Sequence, residues 1–371
     1  MDATSVDTLV VTDPCNIVWI SGYDAWSFYV PQALVVSPRL REPLWIGRAL
    51  DAPAVGHTAW ISADSVVGYT DEFVQIKGRH AADFIADVIR ERGAAGRVLG
   101  YESDSYYLTP RYRDGLAAAF PDSTWKDIGA ELTRLRCVKS AEELTVMREA
   151  AAIAARAMTV ALDRIRVGAR ECEVAGEIAR AQIGGTADYG GFITSSPPYV
   201  LRGARGGAPH LSWGQERFTK DETCYVELLG CRFRYQVSIA RALHLGKPPR
   251  EVVNAAQASQ DCILAGLDAA RPGVTCGEVA TKMLAVLRAA GIEKQTRSGY
   301  GVGIAYPPTS GERTMSLHPA DPTVLEAGMT LHMHPNLIFD GWGLYITETI
   351  VITPGGAEPF TLLPRELVVR D

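Results

Sequence analysis

The sequence contains no apolar run of roughly 18 residues, the length a membrane-crossing helix needs, so no membrane partner is expected. It has no surplus of positive charge either. The formal net charge is −6 and no basic run occurs, which argues against nucleic acid as a partner. The opening residues, "MDATSVDTLV", carry acid where a secretory leader carries base, so a cytoplasmic location is expected. Paired cysteines are missing as well. Cys15, Cys137, Cys172, Cys224, Cys231, Cys262 and Cys276 are odd in number and scattered, with no C-x-x-C pair. That pattern fits reduced thiols rather than a disulfide or zinc framework. One of them is either a catalytic thiol or, as we expect of all seven, buried apolar filler.

What is present is an ordinary soluble core. Of 371 residues, 47% are hydrophobic, enough to bury two domains of typical size. The first part alternates strand-like runs ("TLVVTD", "NIVWISGY", "QALVVS", "EPLWIG", "RVLGYE") with a helical pattern over about Ala81 to Arg92, which predicts a small α/β domain. The boundary is placed near "ELTRLRCVKS", giving domains of residues 1–136 and 137–371. Beyond it, Ser140 and Glu143 have capping-box spacing and predict a long helix running to about Arg164.

The second part contains an internal echo. "RVGARECEVA" from Arg166 matches "RPGVTCGEVA" from Arg271, with a long helical pattern before each copy and Gly-rich, strand-forming sequence after it. A duplicated helix–helix–sheet unit predicts two related halves around a cleft, a favoured place for a ligand.

The hairpin-like stretch "VELLGCRFRYQVSIARAL", the junction "LRCVKSAEELTVMREAA" and the turn and strand "LEAGMTLHMHPNL" resemble the pita-bread family of creatinase, prolidase, aminopeptidase P and methionine aminopeptidase. The resemblance spans essentially the whole chain. It implies an α/β fold with a creatinase-type amino-terminal domain. The carboxy-terminal pita-bread domain would repeat by a pseudo-twofold around a curved antiparallel sheet. Metallopeptidases of this family hold two ions with Asp, Asp, His, Glu and Glu. Those five positions fall here on Glu227, Ser238, Tyr300, His334 and Thr347. A dinuclear site needs several carboxylate oxygens, so no metal and no cofactor are expected.

Within the family the chain is similar to the ectoine hydrolases, which open a cyclic amidine. The shared segments are "GYDAWSFYV", "GR" with "DA", "RH", "APHLSW", Glu227 followed by "GC", and "YPPTSGERTMSL". The chain departs from that pattern at Tyr345, at Thr309–Ser310 and in the basic segment 191–211, pocket positions that bear on the substrate rather than on the reaction type. The resemblance implies a metal-independent hydrolase of a small zwitterionic cyclic amidine. The alternatives are a creatinase-like hydrolase or lyase acting on another small nitrogenous acid, and a binding protein without catalysis.

Such chemistry needs a nucleophile, a proton donor for the leaving nitrogen, and groups that hold a cation. Glu227, in the apolar run "CYVELLGC", either attacks the amidinium carbon or activates water; otherwise it is an outward-facing strand residue. His210 aligns with the family's substrate-binding His and is assigned proton transfer. Glu312 and Arg313 either bind amidinium and carboxylate or belong to a structural ion pair. His334, with His332 on the same side by period two, is either catalytic or part of a buried His pair. Arg241 either holds a carboxylate or pins the hairpin. Tyr300 and Tyr345 stand at expected pocket positions. Trp26, Phe28 and Tyr29 either box a cation or pack an interface, and a homodimer with the amino-terminal domain near the partner's active site would satisfy both.

Overall fold

The computed structural model describes residues 5–371, and the first four, part of the segment read for a leader, lie outside it. The chain divides into two compact units, Met1–Arg136 and Cys137–Asp371. The first is built on a six-stranded mixed sheet. From edge to edge its strands are Val66–Tyr69, Leu44–Arg48, Ala33–Val36, Thr8–Val11, Val98–Tyr101 and Thr124–Asp127. Its central strands are apolar on both faces because both are covered. Val10, Val35 and Ile46 pack beneath Ile85 and Ile89 of the helix Ala81–Glu91, while Leu9, Val11 and Leu34 pack against Ile17 on the opposite face. That helix starts where His80 caps it, its Nδ1 accepting from the Ala82 amide at 3.1 Å.

The second unit begins with the helix Ala141–Arg164, opened by the capping box of Ser140 and Glu143. It packs against the helix Glu171–Gly184. The sequence echo recurs in space as a second pair, Arg250–Ala269 against Cys276–Ala289, the latter opened by a capping box at Thr275 and Glu278. Each member of the echo therefore lies at the start of the second helix of its pair.

The hairpin joins strands Glu222–Arg232 and Tyr235–Leu245 through the two-residue turn Phe233–Arg234. Both turn residues are left-handed (φ 46° and 66°), the backbone a tight twisted hairpin requires, although neither is Gly, Asn or Asp. The strand lies close on the first helix, since a Cβ on Gly230 would stand 1.9 Å from the carbonyl oxygen of Ala150. Strand Tyr199–Arg202 flanks the hairpin on one side. Val368–Arg370 pairs with it in parallel on the other, so this sheet is not wholly antiparallel as expected. A second sheet of Gly299–Gly301, Thr330–Met333, Glu348–Thr353 and Gly356–Pro359 is antiparallel throughout. Threonine hydroxyls stitch the two together: Ala240 donates its N–H to Thr347 Oγ1 (2.8 Å), and Thr349 Oγ1 donates to the Ser238 carbonyl (2.8 Å). Among the described residues no helix is long and apolar enough to cross a membrane.

Candidate functional site

A cavity of about 580 Å3 opens in the second unit, with its floor on the hairpin. Along the strand Glu222–Arg232, Val226 and Leu228 are buried on one face, and the alternate positions Tyr225, Glu227 and Leu229 lie on the other. Among the described residues, Glu227 is the one carboxylate that lines the cavity. Register puts Tyr199 opposite it on the flanking strand, and Tyr199 lines the cavity too.

His334 follows directly on strand Thr330–Met333 and brings Nε2 to 3.3 Å from Glu227 Oε1, both side chains remaining about 15% exposed. Its ring meets Tyr345 edge-on (centroids 5.0 Å, 85°), and Tyr345 in turn stacks on Tyr225 (4.2 Å, 12°). His332 lies behind, with no exposed surface and 5.0 Å from the His334 ring. Its Nδ1 is 3.2 Å from the Tyr300 hydroxyl and its Nε2 2.7 Å from Thr347 Oγ1. Burial holds its pKa well below the usual imidazole range, so this ring is neutral and one nitrogen donates while the other accepts. Burial and then the Glu227 charge keep the Tyr300 phenol protonated far above its ordinary range. Tyr345 is likewise raised by burial and accepts from Asn336 Nδ2 at 3.1 Å.

His210 follows the turn Gly203–Gly207 and stands exposed at the mouth, 6.4 Å from the Tyr199 ring centroid. The structure thus brings Glu227, His210, His334, Tyr300 and Tyr345 to one cavity, with His332 in support.

Six other expected residues lie elsewhere. Arg241 is 1% exposed and spends its guanidinium on Glu348 and on the carbonyls of Ala240, Thr347, Leu363 and Pro364. It pins the hairpin, and the reason is register. Arg241 pairs with Val226, so it emerges on the side opposite the one Glu227 shares with Ala240. Glu312 is buried against the Lys139 ammonium (2.7 Å, both side chains 1% exposed) and is a core ion pair, not a cavity group. Arg313 is exposed in a left-handed conformation and does not line the cavity. Trp26, Phe28 and Tyr29 belong to the first unit. There Trp26 and Phe28 pack at 4.6 Å, and the Tyr29 hydroxyl accepts from Arg48 at 2.8 Å.

Sequence reasoning missed Tyr199, Arg297 and Asn336 in the lining. It also missed Lys294, whose ammonium donates to Thr296 Oγ1 (2.6 Å) and to both oxygens of Asn336. All three acceptors are neutral, and desolvation pushes this amine down to about 8. The available signal was position: Lys294 and Arg297 immediately precede "GYGVG", and Asn336 follows "HMHP".

The five positions where relatives place metal ligands do not make a metal site. Glu227 and His334 adjoin, but the Tyr300 and Thr347 hydroxyls are both bonded to His332, and Ser238 is buried. Among the described residues no group of three or more His, Cys, Asp or Glu side chains is arranged to hold a metal ion, and one carboxylate with one imidazole does not fit a hard dinuclear centre.

Residues 145–354 match Metallopeptidase family M24, and residues 1–138 match the Creatinase/Prolidase N-terminal domain. The chain is 36% identical over 377 residues to an ectoine hydrolase from Halomonas elongata, covering 100% of this chain and 94% of that protein. It is 39% identical to an uncharacterised hydrolase/peptidase from Sinorhizobium fredii, covering 100% and 95%. Among solved structures, the X-Pro aminopeptidase of Thermotoga maritima superposes with a TM-score of 0.82 at 18% identity, covering 99% of this chain and 97% of that one.

Proposed function

The chain belongs to metallopeptidase family M24 and is a hydrolase of that family; from this premise we propose that it cleaves a C–N bond of a small cyclic amidine, ectoine or a close analogue, without a metal ion. The observation that carries the reading is the Glu227 carboxylate beside His334 on a cavity floor whose donor set does not fit a metal. The identity to an ectoine hydrolase supports the substrate class.

Glu227 faces the amidinium, and its charge is balanced by that cation. It either adds to the electrophilic carbon itself or takes the proton of a water that adds there. After water attack the tetrahedral carbon collapses, breaking one ring C–N bond and leaving an amide and an amine. Where Glu227 itself adds, the same collapse leaves a Glu227-bound imidate and the amine, and a water then adds to that carbon, giving the amide and freeing the carboxylate. The departing nitrogen takes its proton from His210 at the mouth, while His334 holds the Glu227 carboxylate in place and passes the proton of the attacking group onward. The Tyr300 and Tyr345 hydroxyls, both kept protonated, supply neutral donors to the developing charge.

The proposal includes a cytoplasmic homodimer in which Trp26 to Tyr29 lie near the partner's cavity. The seven cysteines, all free, are consistent with that compartment. Light scattering that finds an active monomer would remove the dimer from the reading. The test of function is incubation of purified protein with ectoine, 5-hydroxyectoine and creatine, followed by mass spectrometry. Addition of one water to either cyclic amidine is the expected result. Turnover of creatine alone would replace the reading with a creatinase-like one.

A further inference from the structure

Among the described residues the cavity is lined by one carboxylate and one guanidinium, those of Glu227 and Arg297, and Tyr300 lines it with them. Arg297 lies 4.4 Å over the Tyr300 ring centroid, which fixes the guanidinium plane at the cavity wall. It forms no ion pair among the described residues, and its surface is exposed. The other arginine candidates are unsuited: Arg241 is consumed in the core, and Arg313 does not line the cavity. A guanidinium stacked on an aromatic ring with its donor edge open is suited to a planar anion bound through two parallel hydrogen bonds.

We infer that Arg297, on the cavity wall over Tyr300, binds the carboxylate of the substrate whose cationic ring Glu227 faces. The inference rests on the proposed function for the amidine half of the ligand and adds the residue that reads the anionic half. Tyr300 then holds Arg297 at the wall of the cavity that Glu227 also lines, so the site selects ligands that carry both a carboxylate and an amidinium. A neutral or purely cationic amidine fits the Glu227 end alone and leaves Arg297 unpaired.

The test compares ectoine with its decarboxylated counterpart, 2-methyl-1,4,5,6-tetrahydropyrimidine, in both turnover and equilibrium titration. The proteins are the wild type, Arg297→Gln and Arg297→Lys. Wild type should favour ectoine by about 10- to 100-fold, the usual weight of a charge-assisted pair. Arg297→Gln should raise KM for ectoine by that factor, leave kcat within a few-fold, and bind the decarboxylated compound as the wild type does. Arg297→Lys should recover only part of the loss, since an ammonium lacks the planar fork. Ectoine hydrolysed by Arg297→Gln with unchanged KM would overturn the inference while leaving the function standing. If no amidine is hydrolysed but ectoine still binds in a way Arg297→Gln abolishes, the function falls and the carboxylate site stands. Wild type that binds both compounds equally, or neither, overturns the inference.

Discussion

His334 places Nε2 3.3 Å from Glu227 Oε1 on the floor of the cavity that both side chains line. The pairing holds in place the carboxylate that the proposed reaction presents to an incoming cation. It also explains how Glu227 remains tolerable in a strand whose neighbours Val226 and Leu228 are buried.

Glu227→Gln preserves size and removes that charge. Turnover on the active substrate should fall by about 10²- to 10⁴-fold, and by more if Glu227 is the attacking group. Folding should survive, because an amide is no harder to bury than a lone carboxylate. Steady-state kinetics paired with a thermal melt decide the matter. A well-folded variant with near-normal turnover sinks the assignment.

Chelation offers a second check. With one carboxylate and one imidazole at the five ligand positions, prolonged dialysis against EDTA should leave activity within two-fold, by an order-of-magnitude allowance for handling losses. Elemental analysis should find no stoichiometric transition metal in protein purified without added ions. Activity lost to EDTA and restored by a divalent ion is the contrary outcome.

Much of this was legible beforehand because short-range rules sufficed. The Ser140–Glu143 capping box, the helix from Ala81 and the doubled "EVA" helices depend on local spacing, and each appears where the spacing puts it. Glu227 stood out as a carboxylate in an apolar run. Arg241 could not be placed the same way. Its side of the sheet depends on the hairpin turn falling at Phe233–Arg234, and that pair lacks the Gly, Asn or Asp that marks such turns. A one-residue shift of the turn would have turned Arg241 toward the cavity. Glu312 was misread for a different reason. Its partner Lys139 is remote in sequence, and nothing local announces the pair.

That pair gives a third prediction. Glu312→Gln leaves the Lys139 ammonium buried with the Cys137 carbonyl as its remaining acceptor, so stability should drop by about 3–5 kcal/mol. Pairing it with Lys139→Met removes the stranded charge and should recover much of the loss. In urea unfolding, a Glu312→Gln variant as stable as the wild type would contradict the pairing. The kinetics of the folded double variant should be close to normal, because Glu312 does not line the cavity.

The last prediction concerns acid. His332 is fully buried between the Tyr300 and Thr347 hydroxyls, and burial, followed by the charges of His334 and Arg297, holds its pKa well below the ordinary imidazole value of about 6.5. Below pH 6.5 the unfolded chain therefore takes up a proton at this position that the folded protein refuses. Stability contributed by the neutral ring is fully present above that pH and is lost as the pH falls, at up to about 1.4 kcal/mol per pH unit for one proton. His332→Gln removes the titration while keeping a side chain able to bond both hydroxyls. The variant should be less stable than the wild type at pH 7.5, having lost the fitted ring. Its further loss between pH 7.5 and 5.5 should nevertheless be smaller, by roughly 1 kcal/mol. Urea unfolding of both proteins at the two pH values measures the difference directly. Parallel losses would show that His332 accepts its proton in the folded state, and with it that the pair behind Glu227 is cationic rather than neutral.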